Sequence, residues 1–268
     1  MLLYWQEVPE MFWNRVLTIR LFGECNMLTF EELRAMYDRG QTQDVINALQ
    51  DISIDPATED GQRYLTLKGW CHYRRKENKE AHNCAIAAKA LPWARELMAY
   101  LHAYAPAHID DEALMEIANE LGSTNINVAN AFVIRARADD CSILTGDEVD
   151  RIAASFRGDE SVHAANLMHN AGRFFLAKPK RPGDLQRATQ YLDDAIRRYG
   201  TEANFHHRAA ANFWKSQAFE KIGWKAHAVD AAQESVRLWE EQCKLDPTNK
   251  SFLQKKDDAA QRLATLTA

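Results

Sequence analysis

The sequence predicts an all-α chain built from stacked helical hairpins, and three observations carry that prediction. The first is a recurring spacing of small or aliphatic residues at i, i+4 and i+7. It reads Val45, Leu49, Ile52; Ala81, Ala85, Ala88; Ala188, Leu192, Ala195; and Ala228, Ala232, Ser235. Residues so spaced share one helix face, and Ala or Ser there lets another helix approach closely. The second is sparse punctuation: 11 Gly and 7 Pro in 268 residues are too few for the turns of an all-β fold. The third is that no two β-branched runs flank a hairpin dipeptide. The best strand candidates, Val16 to Phe22 and Phe132 to Ile134, are short and isolated.

Residues 1–26 do not share this texture. Met27 opens Met-Leu-Thr-Phe-Glu-Glu-Leu, in which Thr29 is placed as an N-cap with Glu32 three residues on. Codons for Gly23-Glu24 can resemble a bacterial ribosome-binding site. The expectation is therefore a bacterial protein that starts at Met27. The alternative is an N-terminal amphipathic helix with Trp5, Phe12, Trp13 and Val16 on its apolar side.

The remaining elements follow in order. A first hairpin is expected from about Thr29 to Ile52, and the Asp55-Pro56 loop separates it from a second, Gly61 to Leu91. Pro92 suits a helix start and gives a helix to about Tyr104. Asp110 caps a helix through Leu121 that Gly122 ends. A helix over Asn125–Ala138 and a polar connector from Asp139 to Asp147 complete an irregular helical middle. Helices then follow at 147–156, 160–177, 183–199, 202–222, 225–244 and 249–266. The stretch 183–199 is the cleanest, with Leu185, Ala188, Leu192, Ala195, Ile196 and Tyr199 in one stripe and Asp184, Arg187, Asp193 and Arg197 on the wet side. The last helix has the polar outer face that caps a stack. The organisation read from these elements is hairpins over 27–91, an irregular segment over 92–158, and hairpins plus a capping helix over 159–268.

Gly69-Trp70-Cys71-His72-Tyr73, a polar turn and then Glu80-Ala81 resemble a tetratricopeptide repeat. So do Ala218 to Gly223 followed by Ala228 and Leu245-Asp246-Pro247, and Phe30 to Ile52 with Tyr37 and Gly40. The steps from Val45 to Ala81 and from Ala188 to Ala228 are 36 and 40 residues, against a family period of about 34. The chain departs from the family in its long helix before Leu245, in the inserted loop Lys178 to Asp184, and in its middle. The resemblance implies a right-handed α-solenoid whose first helices line a concave groove that binds another protein or a peptide segment.

The polar residues on those first helices carry the candidate site. Ala164-Ala165-Asn166 recurs as Ala210-Ala211-Asn212, 46 residues on. Asn166, Asn170 and Arg173 share one helix face, as do Arg208, Asn212 and Lys215. In tetratricopeptide proteins Asn, Lys and Arg at such places hold peptide backbones or terminal carboxylates. By resemblance these six residues form a peptide-binding face. Gly172 competes with Asn170 for the small-residue slot, and a solvated helix side or structural caps between repeats is the competing account. A second surface is offered by Arg63, Trp70, Tyr73 and Arg74, since Trp and Arg are favoured at interfaces. Trp214, Trp224 and Trp239 are expected in the core.

Composition narrows the function classes. The net charge of −5, with acids and bases interspersed, disfavours a nucleic-acid partner. Five cysteines, an odd number without a CxxC pair, fit a reducing, cytoplasmic compartment and speak against a zinc knuckle. No segment reads as a membrane span. Phosphate-binding glycine loops, GxSxG and HExxH are absent. His163 with His169, adjacent His206-His207 pointing to different faces, and His72 with His82 have poor spacing for one metal. No catalytic residue, metal site or cofactor is expected. Two other readings compete: an all-α enzyme with a cleft in 92–158 using His102, His108, Asp110, Glu112 and Asp140, and an RNA-binding repeat using Lys178, Lys180, Arg181, Arg197 and Arg198.

Overall fold

The computed structural model describes residues 28–50, 52, 54–138, 140–200 and 205–268. The expectations for residues 1–26, with the candidate strand Val16 to Phe22, lie outside them. Among the described residues the regular structure is helical throughout, with thirteen α-helices, one 3-10 turn and no strand. None of these helices is long and apolar enough to cross a membrane. The chain divides into two compact units, one up to Asp110 and the other Asp111–Ala268.

The first unit contains α1 (Phe30–Asp38), α2 (Thr42–Ala48), α3 (Glu59–Arg74), α4 (Asn78–Ala87), α5 (Pro92–Tyr104) and the 3-10 turn Pro106–His108. Thr29 and Glu32 form the expected capping box: Glu32 N–H donates to Thr29 Oγ1 at 3.2 Å and Thr29 N–H to Glu32 Oε2 at 2.7 Å. Thr58 caps α3 by accepting from Gly61 N–H at 3.0 Å. The small-residue faces do what their spacing requires. Val45 from α2 and its C-cap Leu49, and Ala81 and Ala85 from α4, join Leu33, Tyr37, Leu67, Trp70 and Leu97 in one core. Gly69 makes the approach of α4 and α5 to α3 possible, since a Cβ there would lie 2.7 Å from Leu97 Cδ2 and 3.1 Å from Cys84 Cβ.

The second unit contains α6 (Asp111–Leu121), α7 (Ile126–Ala136), α8 (Gly146–Ser155), α9 (Val162–Ala177), α10 (Asp184–Tyr199), α11 (Phe205–Ile222), α12 (Lys225–Leu245) and α13 (Lys250–Thr267). Phe132 to Ile134, a strand candidate by composition, lies inside α7: Asn125 caps that helix through Asn127 and Val128 N–H, and tertiary packing overrides the local β-propensity. From α9 onward each helix packs on the next, and α7 also touches α9 as α9 touches α11. Those skipping contacts set α7, α9 and α11 side by side. Gly172 is the closest point of α9 to α10, where a Cβ would meet Leu192 Cγ at 2.7 Å and the Ala188 carbonyl at 3.0 Å. Gly172 therefore fills the small-residue slot and leaves Asn170 on the polar side. Gly183, Gly200 and Gly223 adopt positive φ of 91°, 68° and 90° at helix boundaries.

Candidate functional site

The six polar residues expected to form a binding face lie on two neighbouring helices, Asn166, Asn170 and Arg173 on α9 and Arg208, Asn212 and Lys215 on α11. No residue from Ala164 to Leu176, or from Phe205 to Phe219, is fully exposed. The side chains are thus half-buried or buried, in a setting where their hydrogen bonds have definite partners.

Asn170 is the hub on α9. Its Oδ1 accepts from Arg137 Nη1 at 2.9 Å, and its Nδ2 donates to Asn130 Oδ1 and to the Asn166 carbonyl, both at 2.9 Å. An arginine cannot accept, so this partner fixes the orientation of the amide. Both amide protons are consumed, which makes Asn170 a link between α7 and α9. Asn166 is held differently. Its Oδ1 accepts from the Tyr199 hydroxyl at 2.8 Å, and its own amide N–H₂ has no partner among the described residues. Arg173 lies over the Trp214 ring of α11, 4.3 Å from its centroid, a cation–π arrangement that joins the two halves of the set. Asn212 donates to the Arg208 carbonyl at 3.0 Å and is largely buried. Lys215 pairs with Asp193 of α10 and lies 5.4 Å above the Phe219 ring.

Composition-based reasoning missed the third rung. Ala129-Asn130 on α7 repeats Ala165-Asn166 after 36 residues, and Arg137 stands in the same relation to Asn130 as Arg173 does to Asn166. The signal lay in the chain, but the irregular texture around α7 hid it. The structure supplies the connection by placing Asn130 and Arg137 in contact with Asn170. The polar set therefore runs as a ladder across three helices.

Behind the ladder is a buried histidine. His169 is 8 % exposed and its Nδ1 lies 3.3 Å from the Tyr199 hydroxyl. With the Tyr199 proton on Asn166, His169 donates through Nδ1, and its Nε2 has no partner among the described residues. Burial, reinforced by Arg173, His207 and Arg137, pushes this imidazole down to about 3. His207, stacked on Tyr199 at 5.0 Å, is pushed down to about 4 by burial and then by His206. The His206 and His207 rings lie side by side, 4.0 Å apart between centroids, and do not diverge as adjacent helix positions suggest.

Other expected sites resolve differently. Trp70 is buried against Tyr73 and Tyr100 in the first unit's core, while Arg74, half-buried, stacks 3.6 Å above Tyr37 and donates to its carbonyl, and Arg63, also half-buried, lies 4.6 Å over Phe30. Trp239 is buried as expected, whereas Trp224 is 48 % exposed at the turn after Gly223. Asp140 is spent on Arg135, whose guanidinium also binds Asp111. His102 Nδ1 donates to the His108 carbonyl at 2.6 Å, with His82 edge-on to its ring at 5.9 Å and stacked on His108. Among the described residues no three His, Cys, Asp or Glu side chains form a group able to hold a metal ion. The cations of the RNA reading are largely occupied. Lys178 donates to the carbonyls of Ala136, Ala138 and Cys141, Arg181 pairs with Asp147, and Arg197 pairs with Glu160 and Asp194.

No family model matches the chain, and neither a curated protein nor a solved structure does.

Proposed function

We propose that this protein is a non-enzymatic, tetratricopeptide-like helical repeat, a right-handed α-solenoid that binds a peptide segment of another protein along the ladder on α7, α9 and α11. The observation that carries this reading is the triple recurrence of Ala-Asn at 129–130, 165–166 and 211–212, on three helices set side by side. The alanines are buried and permit close approach, while Asn130 and Arg137 of α7 meet Asn170 of α9, and Arg173 of α9 covers Trp214 of α11. An extended peptide offers backbone N–H and C=O groups at regular intervals, and amide side chains such as Asn166 match them. Arg137, Arg173 and Lys215 add charge-assisted bonds that favour acidic or carboxylate-bearing segments.

The test is selection of binding peptides from a displayed random library, followed by titration against variants. Arg173→Gln and Lys215→Glu change charge and leave the Asn170 hub in place. Each is expected to weaken a selected peptide at least tenfold, with the melting temperature moved by only a few degrees. Peptides that bind both variants as tightly as the parent protein would place the binding face elsewhere.

A further inference from the structure

A cleft of about 440 Å³ opens between α8, α9 and α10, within the second unit. It is separate from the polar ladder, and it lies in the size range of small-molecule sites. Met168 and Ala153, both almost fully buried, are its apolar part. Tyr191 forms a wall held in place on two sides. Its ring stacks on Phe175 at 5.8 Å with an interplanar angle of 3°, and its hydroxyl donates to Asp150 Oδ1 at 2.8 Å.

The charges around this cleft balance except at one point. Asp150 is taken by Tyr191 and by Arg187, whose Nη1 lies 3.2 Å from Oδ2. Asp194 is taken by Arg197 and Arg198. Arg198 is consumed in turn, with Nε on Asp194 and its two terminal nitrogens on the carbonyls of Asp159 and Arg157. That last bond pins the backbone of Arg157, yet the Arg157 guanidinium itself has no partner among the described residues. Its charge reaches into the cleft, where it opposes the upward push that burial and Asp150 exert on the Tyr191 hydroxyl. Gln190 also lines the opening, and its amide has no partner among the described residues. The result is one open cation and one open amide above an apolar floor, with every carboxylate already neutralised.

We propose that this cleft is a second binding site, for a small organic oxyanion: a carboxylate or phosphate monoester head group on Arg157 and a compact apolar body on Met168 and Ala153 beside Tyr191. A planar guanidinium presents two parallel N–H groups to either head group. The paired aspartates discriminate against cationic ligands, since Asp150 and Asp194 have no unneutralised charge to offer.

The site is testable through the methyl group of Met168. In protein labelled with ¹³C at methionine methyls, the M168L variant identifies the resonance, and phenylacetate, phenyl phosphate and the neutral phenylacetamide serve as probes. The Met168 methyl is expected to shift saturably with at least one of the two anions and at least tenfold more weakly with phenylacetamide. R157Q, a change at an exposed side chain, is expected to weaken the anion at least tenfold and leave phenylacetamide unaltered. Tighter titration by phenyl phosphate supports the site with a phosphate head group, and tighter titration by phenylacetate supports it with a carboxylate. No Met168 shift with either anion, equal response to phenylacetamide, or an unchanged titration in R157Q overturns the assignment. None of these results touches the peptide reading of the ladder, which R173Q and K215E report separately.

Discussion

At the scale of single residues, His169 shows how the ladder is held from behind. The Asn166 carbonyl oxygen takes the Tyr199 proton, Tyr199 oxygen takes the His169 proton, and His169 stays neutral inside the fold. Neutrality has a consequence for stability. In the unfolded chain the imidazole titrates near its ordinary value of about 6.5, whereas in the fold it is held down to about 3. Between those values the unfolded chain binds the extra proton, so the stability contributed is complete above about pH 6.5 and is lost as pH falls toward 3. His207, held down to about 4, acts in the same direction. At pH 5 each group removes about 2 kcal/mol relative to pH 7, at 1.36 kcal/mol per unit. Urea unfolding at the two pH values should show this loss. His169→Gln, which keeps a donor toward Tyr199 but cannot take a proton, should lower stability at pH 7 while reducing the pH dependence by about 2 kcal/mol. An unchanged pH dependence in that variant would mean that His169 is charged in the fold.

At the scale of elements, hairpin geometry rests on a few close approaches. Gly172 is the sharpest case, because the atoms a Cβ would strike are the branch point of Leu192 and a backbone carbonyl of α10. Alanine in mid-helix gains about 1 kcal/mol in propensity, but overpacking of a tight helix pair costs about 1–3 kcal/mol. Gly172→Ala is therefore expected to destabilise by about 1 kcal/mol, while Gly158→Ala, where nothing lies within 4 Å, stays within about 0.5 kcal/mol of the parent. Urea midpoints of the two variants decide it, and a G172A protein as stable as G158A would show that α9 and α10 can separate without cost. The same elements show what was legible in the sequence. Helix positions were, because the i, i+4, i+7 spacing at Ala188 or Ala228 and the caps at Thr29 and Pro92 act locally. Thr145 with Glu148 is a capping box of equal quality that starts α8 at Gly146, one residue before the start read from Asp147. The site was legible only as two rungs. Whether Asn170 or Gly172 faced α10 depended on the rotation of α9 about its axis, and a one-residue step turns a helix by a large angle. Nor does composition reveal that Trp70 goes inside and Trp224 outside, since either ring suits a core or an interface.

At the scale of the whole molecule, what matters is that the ladder crosses three helices and so has a length. Packed helices lie about 8–10 Å apart, so α7 to α9 to α11 spans roughly 16–20 Å across two intervals. An extended chain advances about 3.3 Å per residue, and a peptide that touches all three rungs therefore needs about five or six residues in extended form. The rungs are not equivalent along that path. Arg137 and Asn130 are committed to Asn170 at the α7 end, and Arg173 is flattened on Trp214 between α9 and α11. Lys215, tied to the exposed Asp193 and resting over Phe219, is the cation most easily redirected toward a ligand. A ligand that enters from the α11 side thus meets an available charge first and a rigid amide lattice afterwards. Truncating a selected peptide one residue at a time should leave affinity nearly constant down to about six residues and then lower it steeply, by roughly tenfold for each rung vacated, or about 1.4 kcal/mol. Isothermal titration of the series measures this directly. A dipeptide that keeps most of the affinity would show that one rung does the binding and that the alignment of the three Ala-Asn pairs serves helix packing alone.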